Sequence, residues 1–273
     1  MLMTILWKGI KVTIGFFLIL GLLFASGVFS VLLYAKFTGK ESQLLGDSPV
    51  LPMLAPSIAL APSEVPVATP ADPKKTSAMI DAPVVRQNPE LPAGCEVTSL
   101  TMLLHYKGIN KSKMELAEEM TKDETPFVLG KDGKIVYWGN PNNGFVGDVK
   151  RNSKAFGIYH TALFPLLKKY VPSAVDVTNR PFEELEKQIA DNIPVVVWTT
   201  INYTVPTNWV SWDSPAGPIR TTFSEHAVLL VGFDENSVYV NDPLSGNKNV
   251  KVDKAQFIAS WEAMGKQGLT YTN

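Results

Sequence analysis

The sequence is poor in the residues that form disulfides and metal sites. A single cysteine, Cys95, excludes an internal disulfide and a structural zinc site of the multi-cysteine kind. Only three histidines, His105, His160 and His226, remain for another metal cage, so we expect no metal and no cofactor. Because 45% of the 273 residues are hydrophobic, the chain can bury a full-sized core without disulfides or structural metal ions.

The chain also lacks an excess of either sign of charge. The chain has 25 basic and 26 acidic residues, a net charge of −1, and no stripe of Lys and Arg. A protein that binds nucleic acid normally presents a basic face. We therefore expect no nucleic-acid partner.

The longest hydrophobic run lies near the N-terminus. Residues 12–35 are 24 uncharged and mostly apolar positions between Lys11 and Lys36. At about 1.5 Å per residue, this run is long enough to cross a hydrocarbon core of about 30 Å. A cleavable signal peptide is the alternative, but the run continues about eight residues past its small-residue site at 25–27. We predict a single-pass membrane anchor over residues 1–36, and either interpretation places the rest of the chain outside the cytoplasm.

The remaining sequence divides into a linker and one domain. Seven prolines between Pro49 and Pro73 predict an extended tether over residues 37–81. Residues 82–273 contain no internal repeat and predict a single domain. Its predicted helices, at 96–107, 111–121, 165–170 and 181–192, precede its predicted strands, at 194–200, 227–233 and 237–241. This order indicates an α+β fold with segregated layers.

Two segments of this domain are expected to be loops. Residues 125–149 are rich in Gly and Asn. Residues 202–225 hold Trp209 and Trp212 among Pro and Gly, and these rings offer either one wall of a substrate cleft or local packing.

Cys95 stands where a turn meets a helix. The Pro- and Gly-rich segment 87–94 runs directly into the apolar-periodic residues 96–107. A helix start carries about half a positive charge and unpaired N–H groups, which favour thiolate over thiol. Cys95 is therefore a candidate nucleophile. The alternative is a buried cysteine that acts as a small hydrophobic residue.

A cysteine nucleophile needs a base and a group that orients the base. His105 lies roughly 15 Å along the same helix and cannot reach the thiol, and His160, with no carboxylate nearby, is expected to be structural. His226 opens a strand whose hairpin partner ends at Asp242. In a hairpin centred near residue 235, position 226 faces about 244, so Asp242 is a diagonal neighbour of His226 on the same face. The alternative is a hairpin that merely carries polar ends.

Gln87 supplies a fourth group. It lies eight residues before Cys95 on a loop that returns to it, and its side-chain amide can donate to an oxyanion beside the Cys95 N–H. With His226 and Asp242, these residues predict an acyl-transfer site. Two further carboxylates near the motifs, Glu96 and Asp148, are expected to be solvated or structural.

Several separated motifs then match one family in order. They are Gln87 with Leu-Pro-Ala-Gly-Cys95-Glu, the segments at 144–148 and 194–198, and His226-Ala-Val-Leu-Leu-Val-Gly with Asn-Asp242-Pro. Over about residues 82–265, the chain resembles papain-like bacterial proteins related to family thirty-nine of the cysteine peptidases, which include bacteriocin-processing peptidases. The resemblance implies a papain-like fold, with Cys95 as nucleophile, His226 as general base and acid, Asp242 as its orienting group and Gln87 as oxyanion donor.

The chain also departs from those relatives. Bacteriocin processors usually lie at the N-terminus of a transporter and have a shorter spacing between glutamine and cysteine, so leader-peptide processing does not carry over. We expect a membrane-anchored extracytoplasmic cysteine peptidase that works through a thioester, with a peptide or protein substrate. The alternatives are an amidase or endopeptidase of cell-wall peptides, as in NlpC-type relatives of the fold, and a catalytically inactive surface binding module.

Overall fold

The computed structural model describes residues 75–273. The predicted membrane anchor at 1–36 lies outside the described residues, as does all but the end of the predicted linker at 37–81. Within the described part of the chain, no helix is long and apolar enough to cross a membrane.

Most of the helices lie close to their predicted positions. The helices of residues 75–273 are α1 (Cys95–Tyr106), α2 (Lys113–Glu119), α3 (His160–Tyr170), α4 (Phe182–Ala190) and α5 (Lys254–Ala263). The predictions at 96–107, 111–121 and 181–192 thus correspond to α1, α2 and α4, with ends shifted by a few residues. Helix α2 is shorter than predicted because it begins at a capping box, in which Ser112 and Glu115 each accept the other's backbone N–H.

Helix α3 begins earlier than we predicted. It starts at His160, five residues before the Pro165 that was expected to open it. A proline inside a helix lacks the N–H for one helical hydrogen bond and so costs stability. The buried face formed by Ala162, Leu163, Leu166 and Leu167 offsets this cost, since tertiary packing supplies most of the stability of a short helix.

The strands extend over more of the chain than predicted. They are β1 (Ala78–Met79), β2 (Lys122–Asp123), β3 (Val128–Leu129), β4 (Ile135–Tyr137), β5 (Phe145–Val146), β6 (Ala174–Asp176), β7 (Val195–Thr200), β8 (Trp209–Ser214), β9 (Gly217–Thr222), β10 (Glu225–Phe233), β11 (Ser237–Asp242), β12 (Asn247–Asp253) and β13 (Gly268–Tyr271).

An antiparallel sheet forms the centre of the fold. Its strand order is β12-β11-β10-β7-β13-β6, and β1 pairs with the end of β10. Every residue of β7 and β10 is buried, which explains why both read as continuous apolar runs. Helices α1 and α4 pack on β10, and α5 packs on β7. The expected α+β arrangement, with the main helices ahead of an antiparallel sheet, is confirmed.

Strand β1 corrects the predicted start of the domain. Ala78 and Met79 pair with Phe233 and Gly232, so the folded part begins at least four residues before the predicted Ala82. The segment was assigned to the linker because a two-residue strand is too short to show alternation in the sequence.

A smaller sheet corrects both predicted loops. Its order is β3-β4-β8-β9, so it takes strands from 125–149 and from 202–225. The cluster beneath it consists of buried aromatic and aliphatic side chains, namely Trp138, Val146, Phe156, Trp212 and Ile219. Trp212 is therefore a packing residue, and Trp209 stacks under the Arg220 guanidinium at 4.0 Å. Neither contact makes these rings the wall of a cleft.

Candidate active site

Two consecutive turns lead the chain into Cys95. The Leu91 N–H donates to the Gln87 carbonyl at 3.0 Å, and the Gly94 N–H donates to the Leu91 carbonyl at 2.9 Å. A side chain at Gly94 would place its Cβ 2.7 Å from the Leu91 Cβ, so the turn requires glycine. Cys95 is the next residue and the first of α1.

The packing of α1 on β10 determines what lies beside Cys95. The Ser99 hydroxyl donates to the Ala227 carbonyl at 3.1 Å. Cys95 lies four residues before Ser99, about 6 Å along a helix, and Glu225 lies two residues before Ala227, about 6.6 Å along a strand. The distance from Cys95 to Ser99 along the helix therefore matches the distance from Glu225 to Ala227 along the strand. The thiol and the Glu225 carboxyl accordingly lie within 4.8 Å of each other.

The hairpin brings His226 and Asp242 into contact, as its sequence predicted. Leu229 pairs with Asn241, which is the register of a hairpin centred at 235. His226 Nε2 and Asp242 Oδ1 are 2.8 Å apart, and both residues are buried. This bond occupies Nε2 and leaves Nδ1 for proton transfer.

Asp242 is held by more than the imidazole. Its carboxylate accepts hydrogen bonds from the Leu244 N–H at 2.9 Å and from the Ser245 hydroxyl at 2.7 Å. Burial by itself would raise the pKa of Asp242, but these bonds and the His226 contact outweigh it and lower the pKa to about 2. Asp242 is therefore an anion across the physiological pH range.

Gln87 is buried and joined to the same corner. Its backbone N–H donates to the Pro243 carbonyl at 2.8 Å, which ties the loop before Cys95 to the residue after Asp242. Its side-chain Nε2 donates to the Pro92 carbonyl at 2.9 Å, while its Oε1 is buried without a partner. One amide hydrogen remains for another acceptor. Among the described residues, no hydrogen bond joins Gln87 to Cys95.

The Cys95 thiol has a different partner from the one predicted. It donates to Glu96 Oε2 at 3.4 Å, and no hydrogen bond within residues 75–273 joins it to His226. Burial raises the pKa of the thiol well above its usual value, and the charges of Glu96 and Glu225 raise it further. The expected preference for thiolate at the helix start is wrong for this arrangement, because desolvation and two carboxyl groups outweigh the helix terminus.

The two carboxyl groups were not predicted to contribute to the site. Glu96 was expected to be solvated or structural, yet it is completely buried and accepts the Ile158 N–H at 2.8 Å. Glu225 was missed altogether. Their positions in the sequence could have indicated them, because each glutamate is adjacent to a candidate catalytic residue.

Burial raises the pKa of both carboxyl groups above the usual range, and the charge of Glu96 adds to this effect at Glu225. A buried polar group without a hydrogen bond costs about 1–3 kcal/mol, and more when it is charged. Glu225 has no hydrogen bond to its carboxyl group in the described part of the chain, and its Oε1 is fully buried. Together with the thiol, the two carboxyl groups place three potential metal ligands within 4.8 Å.

Gly157 closes this pocket from the opposite side. A Cβ at this position would overlap Glu96 Oε1 and would lie 3.3 Å from Glu225 Oε2. The neighbouring Ile158 carbonyl accepts the Trp198 indole N–H at 3.0 Å. The segment is thus fixed between the sheet and Glu96, and only glycine leaves room for the carboxyl group.

The remaining candidates have structural contacts. His105 Nε2 bonds with the Lys111 carbonyl at 2.8 Å. Asp148 accepts the N–H groups of Lys150 and Asn152 in its own turn.

His160 differs from expectation in one respect. Its Nδ1 lies 2.6 Å from Asp176 Oδ2, so it does have a carboxylate partner, one that sequence distance had hidden. Residues 75–273 therefore contain two His–Asp pairs, and of these the His226 pair is the one tied to the corner that leads into Cys95.

Comparison with known proteins identifies the family of the chain. The Peptidase_C39 like family matches residues 79–269, and the chain belongs to that family. The uncharacterized protein YvpB of Bacillus subtilis strain 168 is 38% identical over 182 residues, which cover 66% of this chain and 70% of YvpB.

One solved structure supports the same class. A candidate C39-like peptidase from Bacillus anthracis is 40% identical, with a TM-score of 0.66 over 73% of this chain and 98% of that one. The peptidase domain of Streptococcus ComA, a bifunctional ABC transporter, aligns at 15% identity and a TM-score of 0.39 over 70% of this chain and 99% of that domain, which is too distant to support an argument. The fold is that of a C39-like peptidase.

Proposed function

We propose that the protein is a cysteine peptidase that hydrolyses peptide bonds through Cys95, His226 and Asp242. The observation that carries this proposal is the buried His226–Asp242 pair, 2.8 Å apart, in a member of a peptidase-like family whose single cysteine begins a helix packed on the same strand. A neutral imidazole that is oriented by a carboxylate is the base that a thiol with a raised pKa requires.

The first chemical step forms a thioester. Cys95 Sγ leaves Glu96 by changing its staggered rotamer and gives its proton to His226 Nδ1. The sulfur attacks the carbonyl carbon, whose oxygen becomes an oxyanion. The Cys95 N–H, which belongs to the first turn of α1, and the remaining Gln87 amide hydrogen donate to that oxyanion.

The second step releases the products. His226 returns the proton to the leaving amine as the C–N bond breaks, which leaves an acyl group on sulfur. Water then loses a proton to His226 and attacks the thioester, and the thiol leaves with that proton. Asp242 stays ionised throughout and stabilises the imidazolium.

The location of the protein is part of the proposal. The apolar run at 12–35 is long enough to anchor the chain in the cell membrane with the peptidase domain outside the cytoplasm. Peptides, proteins and cell-wall peptides are the substrates that such a domain would meet.

The test is cleavage by the full-length chain, purified in mild detergent. The protein and its Cys95→Ser variant are incubated with a peptide mixture and with cell-wall peptides, and the products are identified by mass spectrometry. We expect cleavage by the wild-type chain alone. If neither substrate class is cut, or if Cys95→Ser cuts equally well, the peptidase proposal fails and a binding module becomes the better interpretation.

A further inference from the structure

The mechanism leaves the pocket of Cys95, Glu96 and Glu225 unexplained. One ligand atom from each residue lies within 4.8 Å of the other two, and all three residues are buried. The thiol and the Ile158 N–H both donate to the Glu96 carboxyl group, and its own backbone N–H also acts to lower its pKa against the larger effect of burial. Within residues 75–273, no hydrogen bond reaches the Glu225 carboxyl group.

The buried side chain of Glu225 is the feature that points to a ligand. It is 8% exposed, its Oε1 has no partner, and its carboxyl group faces a thiol and a second carboxyl group. Within residues 75–273, no Lys or Arg forms an ion pair with either glutamate at this pocket, although the charge of Arg151 lowers the pKa of Glu96. A carboxyl group that is buried without a hydrogen-bond donor is stabilised by a proton or by a cation.

We infer that Cys95, Glu96 and Glu225 form a binding site for a zinc-like divalent transition-metal ion. A thiolate with carboxylate oxygens suits Zn²⁺, whereas Mg²⁺ and Ca²⁺ prefer oxygen ligands alone.

The spacing agrees with such an ion. With Zn–S of about 2.3 Å and Zn–O of about 2.0–2.2 Å, a sulfur and an oxygen on one tetrahedral zinc lie about 3.5 Å apart. Cys95 Sγ and Glu96 Oε2 are 3.4 Å apart. Binding replaces the S–H bond with a Zn–S bond and releases the thiol proton to solvent, so the affinity rises with pH.

Occupancy of this site would hold the sulfur away from His226. If Cys95 is the nucleophile, the ion is then a reversible inhibitor that must leave before the peptidase can act. This consequence rests on the proposed function. Binding of the ion does not, because it is measured without substrate.

The experiment titrates the reduced full-length chain with Co²⁺ as a spectroscopic substitute and then displaces it with Zn²⁺. We expect one equivalent of Co²⁺ to produce a sulfur-to-cobalt charge-transfer band that Zn²⁺ abolishes. Cys95→Ser removes the band. Glu225→Gln, and separately Glu96→Gln, should weaken binding at least about tenfold. The exposed Glu183→Gln is the matched control and should bind as the wild-type chain does.

Three outcomes overturn the inference. The first is the lack of a stoichiometric charge-transfer band in the wild-type chain. The second is unchanged affinity in Glu225→Gln and in Glu96→Gln, as expected if the carboxyl groups only share a proton. The third is that His226→Ala loses Co²⁺ binding while both glutamate variants keep it, which would assign the ion to Cys95 and His226. Circular dichroism of each variant verifies its fold. If the chain cleaves peptides but binds no metal ion, the metal-site inference fails and the proposed function does not.

Discussion

Glu225 and His226 are neighbours in one strand, yet their surroundings are opposite. His226 meets Asp242, whose carboxylate has a full set of donors and a lowered pKa. Glu225, one residue earlier, meets a thiol and a second carboxyl group, and within the described residues its carboxyl group has no donor and a raised pKa. Similar burial therefore accompanies pKa shifts in opposite directions, and hydrogen-bond donors decide the direction.

This difference separates two roles. The His226 side is preorganised, as a general base must be, because each polar atom of the His226–Asp242 contact has a fixed partner. The Glu225 side is incomplete, and buried groups without partners in natural proteins call for an explanation in terms of function or strain. The first region has the arrangement that the proposed general base requires, whereas the second contains a carboxyl group that needs a proton or a cation to stabilise it.

The largest loss of activity is expected when the proposed base is removed. We expect His226→Ala to lower kcat/KM by at least about 10³-fold, because loss of one member of a catalytic unit removes most of its effect. Peptide cleavage by the full-length chain gives the measurement.

The second His–Asp pair provides the control for that variant. His160 contacts Asp176 at 2.6 Å but takes no part in the proposed chemistry. His160→Ala should therefore retain wild-type kcat/KM. Equal losses in the two variants would mean that His226 contributes structure alone, and the assignment of the base would be abandoned.

A smaller effect, on stability, is expected from Gly157, which lies against the Glu96 carboxyl group. Gly157→Ala places a methyl group against Glu96 and should lower the free energy of unfolding by about 1–3 kcal/mol, the usual cost of overpacking. The effect should shrink in a Glu96→Ala background, since the atom that is overlapped is gone. Urea unfolding of the two single variants and the double variant measures the coupling. Additive losses would show that Gly157 does not limit the Glu96 pocket.

The sequence predicts the His226 side better than the Glu225 side for a physical reason. A hairpin turn fixes register locally, so residues 226 and 242 could be paired from the chain alone. The contact of Cys95 with Glu225 depends instead on how α1 packs across β10, and no local pattern encodes that. Whether a glutamate faces water or a buried thiol is a tertiary property.

The same distinction holds for the rest of the fold. The long apolar strands β7 and β10 could be predicted because burial on both faces leaves continuous runs. The short strands β3 and β4 and the hairpin at 209–222 could not, because the sheet they form is assembled from distant segments and because β3 and β4 are only two and three residues long. The early start of α3 was hidden by Pro165, whose cost is offset by packing.

The pH dependence of stability should have opposite signs at Asp242 and at Glu225. The folded pKa of Asp242, about 2, is below its ordinary 3.8, so its contribution of about 2 kcal/mol is present above pH 3.8 and is lost as the pH falls towards 2. The folded pKa of Glu225 is above its ordinary 4.5, so the fold favours its protonated form, and stability declines as the pH rises above 4.5.

Each slope has its own variant. Asp242→Asn should make the acid limb of the stability curve less steep, since Glu115 and Glu119 also have lowered pKa values and keep part of that limb, and it should leave the other limb in place. Glu225→Gln, which stays neutral at every pH, should reduce the decline above pH 4.5 to the part that the raised pKa of Glu96 contributes, and should leave the acid limb in place. Urea unfolding at a series of pH values gives both curves. If Glu225→Gln leaves the upper limb unchanged, Glu225 is not protonated in the fold, and the contrast between Asp242 and Glu225 reduces to a difference in hydrogen bonding without a difference in charge.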